Sequence, residues 1–166
     1  MNAGRLDLDG VDALRAALSD AAIVARYESK IVTVPDADCM FWSGAVSGRG
    51  HGRFWLGDER VVIAHRFGFA LACGVDALVG IEVLGHRCDN PLCQRVGPGH
   101  VVASSYVQNR REWAARRLML DSPLNDSRGS RGRARELRDL ARVDPARVAA
   151  QLADLRRQHG HQLVLW

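Results

Sequence analysis

The chain has 166 residues, of which 47% are apolar and 25% charged, which suits one folded domain with appendages and excludes a wholly disordered chain. No apolar run approaches the ~20 residues that a membrane span needs, and the first ten residues lack a basic-then-apolar signal pattern, so we expect a cytoplasmic protein without a membrane partner. The net charge of +4 permits a polyanionic partner without requiring one. Arginine supplies every basic residue except Lys30, an excess that GC-rich codon usage would also explain.

The hydrophobic pattern of the first half predicts helices and short strands in alternation. Apolar residues at helical spacing predict an amphipathic helix over 10–26, and a β-branched run predicts a strand over 30–34. Two strands, 53–56 and 60–64, flank the turn residues Gly-Asp and indicate a hairpin, after which 65–72 continues as a helix.

The second half is predicted to be mostly helical after a loop rich in His, Cys, Asn, Pro and Gly. A strand candidate at 80–84 precedes this loop, and a helix follows it with Ser104 or Ser105 as the cap. Asp144-Pro145 separates the last two helices, with Pro at a first helical position. The expected segments are the loop 85–100, the helix 104–120 and the helices 134–143 and 146–159.

These patterns predict an α+β fold divided into five segments. An N-terminal helix occupies 1–29, and a core with a small antiparallel sheet occupies 30–120. A polar Gly, Ser and Arg stretch over 121–133 is typical of a linker. A helical extension over 134–159 and a peptide tail over 160–166 complete the chain.

Cysteine and histidine are concentrated in the loop 85–100, after the strand predicted over 80–84. Cys88, Cys93 and His100 could supply three ligands of a tetrahedral zinc site from one loop. Cys39 or Cys73 must supply the fourth if His86 does not. Such a loop has little apolar material to fold around, whereas zinc can contribute ~10–16 kcal/mol of apparent folding energy in zinc-finger peptides. Buried free cysteines and surface histidines are the alternative interpretation.

At this point the sequence resembles the HNH, or His-Me finger, nucleases, in particular the homing endonucleases of that group that have a zinc-held loop. The resemblance covers about residues 30–117. Its specific part is HRCDNPLC, and the pieces GHGRF and AHR fall in the expected order before it. The resemblance implies a ββα-metal finger with a structural zinc loop inside the α+β fold.

The resemblance implies a role for each matching residue. His86 would be the general base that activates water, and Asn109 would hold a catalytic Mg²⁺ or Mn²⁺ at the scissile phosphate. Arg53 would contact a phosphate, and Asn90 would shape the loop through backbone hydrogen bonds. Structural zinc would be bound by Cys39, Cys88, Cys93 and His100, which leaves Cys73 as a core residue and His65 as a structural histidine.

The chemistry suits these residue types, although the chain departs from the family pattern in places. A neutral imidazole accepts a proton from water near neutral pH, and an amide oxygen suits a hydrated Mg²⁺. The spacing from Cys93 to His100 is two residues longer than usual, Gln108 replaces the usual Asp before Asn109, and His51 stands where Tyr is common.

Arginines near the predicted site favour a nucleic-acid partner, because arginine neutralises phosphates. A solvated helix face is the alternative interpretation, since Glu112 and other acids dilute the patch. The predicted DNA contacts are Arg66, Arg110, Arg111, Arg116 and Arg117.

The last five residues, QLVLW, resemble the bacterial sliding-clamp-binding motif. Gln162 would enter a small polar pocket, and the apolar residues Leu163, Leu165 and Trp166 would anchor the peptide. An edge strand, or folding back onto the protein's own core, is the alternative.

Together these observations predict a metal-dependent DNA endonuclease that hydrolyses phosphodiester bonds, acts as a monomer or a homodimer, and is recruited to replication or repair sites by the clamp. A homing or phage-type site-specific endonuclease is one alternative. A non-catalytic zinc-stabilised module that binds DNA or the clamp is another.

Overall fold

The computed structural model describes residues 8–119 and 121–160 as a mixed α+β fold. The described α-helices are α1 (Leu8–Ser19), α2 (Ala21–Glu28), α3 (Ala64–Cys73), α4 (Val75–Leu78), α5 (Tyr106–Arg117), α6 (Gly129–Val143) and α7 (Val148–Gly160). The described strands are β1 (Ile31–Thr33), β2 (Met40–Trp42), β3 (Ala45–Val46), β4 (Gly52–Gly57), β5 (Arg60–Ile63), β6 (Val83–His86) and β7 (Val101–Ser104).

The N-terminal helix is broken once, which the apolar periodicity did not predict. The Asp20 carboxylate accepts hydrogen bonds from the backbone N–H groups of Ala22 and Ile23, at 2.8 and 3.3 Å. An aspartate in this geometry is a favourable N-cap, so a second helix begins immediately after it. The predicted helix over 10–26 is therefore two shorter helices, α1 and α2.

The strands form three small antiparallel sheets, of which two contain two strands and one contains three. β1 pairs with β2, β3–β4–β5 form the middle sheet, and β6 pairs with β7. Along β4 the side chain of Phe54 faces the core while Arg53 and Trp55 face solvent, which is the period-2 alternation of a half-buried strand.

An aromatic cluster joins the N-terminal helices to the sheets. Tyr27, Trp42, Phe54 and Phe67 are all at least 96% buried, and their ring centroids lie 4.8–5.9 Å apart. The Tyr27 hydroxyl donates to the Gln94 side chain at 3.0 Å, so the buried phenol is satisfied. This cluster fixes β2 and α3 relative to the loop that follows β6.

The hairpin β6–β7 carries the Cys- and His-rich loop between its two strands. The strand predicted over 80–84 is observed as β6, which begins three residues later than predicted. Gly85 and His86 therefore belong to β6 and not to the loop. Strand β7 was not predicted. It pairs with β6 in the register His86 to Val101, which closes the loop 87–100, and Ser105 then caps α5 by accepting from the Gln108 N–H at 3.1 Å.

The segment 121–133 is packed, contrary to the predicted linker. Pro123–Asn125 form a 3₁₀ turn, α6 already begins at Gly129, and Asp126 and Arg133 are buried. Polarity misled the prediction, because these polar side chains are paired internally and not solvated. The predicted break at 144–145 is present as a 3₁₀ turn between α6 and α7. Within the described chain, no helix has the length and apolar character needed to cross a membrane.

Candidate metal centre and catalytic cleft

Three cysteines and one histidine from distant parts of the chain converge on one point. Cys39 lies just before β2, Cys88 and Cys93 lie in the loop after β6, and His100 lies just before β7. Their ligand atoms all lie within 4.8 Å of one another. The Nδ1 atom of His100 is 3.6 Å from the Cys93 sulfur and 3.9 Å from the Cys39 sulfur. This cluster could hold a metal such as zinc, because three thiols and an imidazole are a zinc donor set.

Asn90 shapes the loop between the two cysteines, as predicted. Its side-chain oxygen accepts the Leu92 N–H at 3.1 Å, and its backbone carbonyl accepts the Cys93 N–H at 3.0 Å. Phe41 forms an isolated antiparallel bridge with Cys93, so β2 brings Cys39 next to this loop. The cluster is therefore positioned by backbone hydrogen bonds and by the aromatic core behind β2.

The electrostatics of the cluster favour a negatively charged sulfur. Hydrogen bonds from Cys88 and Cys93 lower the pKa of Cys39 to about 2, and the same contacts raise the pKa of Cys88. Thiols this close cannot all ionise without a cation among them. A divalent metal would supply that positive charge.

The tertiary structure selects the fourth member of the cluster. Cys39 occupies that place, while Cys73 lies at the end of α3 and is exposed. The prediction that Cys73 is a core residue is wrong, because the last turn of α3 points into solvent although its first turns are buried.

A second cluster consists of three histidines, only one of which was predicted as a site residue. His51 precedes β4, His65 lies in the first turn of α3, and His86 ends β6. One ligand nitrogen of each lies within 4.8 Å of the others. His86 Nε2 and His65 Nδ1 are 3.1 Å apart, and the rings meet nearly at right angles with centroids 4.6 Å apart.

These imidazoles are held in their neutral form. Burial, followed by the charge of His51, lowers the pKa of His86 to about 3. Burial likewise places the pKa of His65 well below its usual value, and it lowers that of His51. His65 and His51 escaped prediction because they lie 21 and 35 residues before His86, so that no local spacing connects them.

His86 and Asn109 line the same cleft, which has a volume of about 710 Å³. Asn109 lies on the first turns of α5 and points towards Gly85 on β6. A β-carbon built on Gly85 would lie 2.8 Å from the Asn109 side-chain oxygen. The absence of a side chain at position 85 therefore lets the Asn109 amide approach the strand that carries His86.

The arginines predicted to contact DNA differ in whether they line the cleft. Arg110 is exposed and lines the cleft, whereas Arg116 also lines it but is held by Asp89 at 2.9 Å and Glu112 at 3.4 Å. Arg111 and Arg117 are exposed on α5 outside the cleft, and the Arg117 guanidinium stacks over a tryptophan ring.

Two of the predicted phosphate contacts are not placed at the cleft. Arg66 is only 8% exposed on α3 beside His65, and its contact with DNA stays a prediction. Arg53 is exposed on β4 but does not line the cleft. Arg49, which the sequence did not indicate, is exposed and lines the cleft next to His51.

The predicted clamp-binding residues Gln162, Leu163, Leu165 and Trp166 lie outside the described residues, so that partner stays a prediction.

Comparison with known proteins gives one short similarity. The chain is 37% identical to Protein 7.7 of Escherichia phage T7 over 59 residues, which is 36% of this chain and 43% of that protein's own length. No family model matches the chain, and no solved structure matches it. The name of the phage protein states no activity.

Proposed function

We propose that this protein is a metal-dependent DNA endonuclease of the HNH type, in which His86 is the general base. One observation carries the proposal: His86 and Asn109 line one cleft, and Cys88 of the Cys/His cluster lies two residues after His86. The element order β6, β7, α5, with the cluster in the loop between the strands, is the order that a ββα-metal finger requires.

The buried contact between His86 and His65 gives the base its orientation. In the tautomer in which His86 Nε2–H donates to His65 Nδ1, across 3.1 Å, His86 Nδ1 keeps a free lone pair. That Nδ1 atom is buried and has no hydrogen-bond partner among the described residues. A buried nitrogen without a partner is costly, and a substrate water is a group that would satisfy it. His65 is then a positioning residue that acts through His86.

The group that the proposal needs besides His86 is a hard divalent cation. Asn109 offers a neutral amide oxygen beside Gly85, and such an oxygen fits Mg²⁺ that keeps most of its waters. When bound, the ion would neutralise charge on the phosphate and on the leaving oxygen. Arg49 and Arg110, both exposed at the cleft, would hold the DNA backbone on either side.

The test is nicking of supercoiled plasmid by the purified full-length chain with Mg²⁺. His86→Ala should lower the nicking rate by about 10²- to 10⁴-fold, the usual contribution of a general base. Zinc content and circular dichroism should stay unchanged, because His86 is not a member of the Cys/His cluster.

His159→Ala is the matched control, since it removes a histidine that the proposal does not use. It should nick at close to the rate of the unmodified protein. Equal nicking by His86→Ala and His159→Ala would refute His86 as the base, and folded, zinc-containing protein that cuts neither plasmid nor phage DNA with Mg²⁺ would refute the endonuclease.

A second candidate is a phage-type site-specific endonuclease; the similarity to a phage T7 protein supports the link to phages and says nothing about activity. It shares the chemistry at His86 and differs only in the target. A single unique cut in phage DNA, with no cleavage of generic plasmid, would favour it over a non-specific nicking enzyme.

A further inference from the structure

The three histidines form a potential metal site separate from the Cys/His cluster. They come from the turn before β4, from α3 and from the end of β6. His51 and His86 line the cleft, whereas His65 lies behind them with 6% of its surface exposed. An ion could therefore enter from the cleft and meet all three rings.

The geometry suits one transition-metal ion. Two imidazole nitrogens that share an ion at about 2.0–2.1 Å, with an angle of about 90–110°, lie roughly 3.0–3.4 Å apart. His65 Nδ1 and His86 Nε2 are already 3.1 Å apart, and one ring nitrogen of each of the three histidines lies within 4.8 Å of the others. Imidazole ligands select Zn²⁺, Ni²⁺, Co²⁺ or Cu²⁺ and bind Mg²⁺ poorly.

We propose that His51, His65 and His86 bind a borderline divalent cation such as Zn²⁺, and that this ion inhibits the enzyme. The inhibition rests on the proposed endonuclease function, whereas the binding does not. The site differs from the proposed Mg²⁺ position in its donors, because it has three imidazole nitrogens and no amide or carboxylate oxygen.

The inhibition follows from where the His86 proton must go. Without the ion, His86 donates Nε2–H to His65 Nδ1 and keeps its lone pair on Nδ1. An ion that binds both Nε2 of His86 and Nδ1 of His65 needs a lone pair on each. The His86 proton therefore moves from Nε2 to Nδ1, with no net proton released. His86 Nδ1 then carries a proton and cannot accept one from water.

The binding is tested by titrating the full chain, isolated with one equivalent of zinc, with Zn²⁺ or Co²⁺. We expect a second equivalent to bind, and Co²⁺ at that site should lack the intense sulfur-to-cobalt absorption of a thiolate centre. The second Zn²⁺ should convert His86 from the Nε2–H to the Nδ1–H tautomer, and the nitrogen-15 chemical shifts of the imidazole should report this change.

His51→Gln is the informative variant, because His51 is half-buried at the cleft and has no part in the proposed hydrolysis. It should weaken the binding of the second equivalent of metal at least tenfold and leave the binding of the first equivalent unchanged. His159→Gln, which removes a histidine elsewhere in the chain, is the matched control. Absence of a second equivalent, or its undiminished binding by His51→Gln, would overturn the site.

The inhibition is tested by nicking in constant Mg²⁺ with rising Zn²⁺, each variant being compared with its own rate before Zn²⁺ is added. The Zn²⁺ concentration for half inhibition should be at least tenfold higher for His51→Gln than for His159→Gln. Equal inhibition of both would overturn the regulatory role. If the unmodified chain cuts neither plasmid nor phage DNA, the proposed function fails, while the titration still decides the metal site.

Discussion

Gly85 is the residue whose lack of a side chain most directly affects the proposed site. It immediately precedes His86 on β6, and the Asn109 side-chain oxygen occupies the space where a β-carbon would be, at 2.8 Å. Contacts under 3.0 Å force a shift, and here the atom that can move is the end of a side chain. A larger residue at position 85 would therefore displace the Asn109 amide without disturbing the backbone.

Gly85→Ala should lower Mg²⁺-dependent nicking by at least tenfold while the free energy of unfolding changes by less than about 1 kcal/mol. The loss should be reduced at high Mg²⁺ concentration, because a displaced amide weakens ion binding more than the proton transfer to His86. Initial nicking rates over a Mg²⁺ series, beside urea denaturation, measure both effects.

Gly48→Ala provides the control for the added methyl group. A β-carbon on Gly48 meets nothing within 4 Å, so its activity should be close to that of the unmodified chain. Full activity of Gly85→Ala would contradict the placement of Asn109 beside the reacting phosphate.

Among the elements, α6 connects the C-terminal half to the metal loop. Arg133 is 2% exposed, and its guanidinium donates to the backbone carbonyls of Pro123 and Asp89. Asp89 follows Cys88 directly, so α6 holds the first part of the Cys/His loop. Three residues earlier on α6, the Ser130 hydroxyl donates to the Arg49 carbonyl at 3.2 Å, where Gly50 has a φ of 88° and no side chain to obstruct the helix.

Arg133→Met should lower the free energy of unfolding by about 3 kcal/mol, since two buried carbonyls lose a charged donor. Methionine keeps most of the side-chain volume and a similar helix propensity, so the loss reports the hydrogen bonds. Chemical denaturation of zinc-loaded protein is the measurement.

Arg135→Met is the matched control on the same helix. Arg135 is exposed, and we expect its replacement to change the free energy of unfolding by no more than about 0.5 kcal/mol. If the two variants were equally stable, the segment 121–133 would behave as the linker that its composition predicts, and not as a packed part of the fold.

At the scale of the whole molecule, the Cys/His cluster joins chain segments that are far apart in sequence. Cys39 comes from the loop between β1 and β2, and the other three members come from the segment 88–100. The loop 87–100 has polar and glycine residues at many positions, so its order depends on what it surrounds. Metal binding at this cluster would therefore stabilise the hairpin that carries His86.

Removing the metal with a strong chelator should lower the free energy of unfolding by about 5 kcal/mol or more, because the free energy of metal binding at such sites contributes directly to the stability of the folded state. Cys39→Ser should reproduce much of this loss and reduce zinc content. Thermal unfolding and metal analysis of the purified chain measure the two effects.

Cys73→Ser separates a metal effect from a general cysteine effect. Cys73 is exposed and lies outside the cluster, so its replacement should leave zinc content unchanged. Comparable zinc loss from both serine variants would contradict the four-member cluster described here.

How much of the fold could be predicted depended on how far along the chain the determining interactions reach. Most helices and strands lie near their predicted positions, because capping residues and hydrophobic periods act over a few residues. Some local signals were missed: Asp20 divides the first helix, and β7 lies between the predicted loop and the predicted helix. The polar composition of 121–133 was misleading, since Asp126 is buried and pairs with Arg128, and buried Arg133 donates to the Asp89 carbonyl 44 residues away in sequence.

The sequence by itself indicated three members of the Cys/His cluster, because Cys88, Cys93 and His100 lie within one loop, and the resemblance to the HNH nucleases supplied the candidate pair His86 and Asn109. Only the tertiary structure decided that Cys39 and not Cys73 completes the cluster, that Arg66 is buried, and that His51 and His65 meet His86. The physical reason is that side chains from separate elements converge through packing of the aromatic core. Long-range packing sets such distances, and neither spacing nor composition encodes them locally.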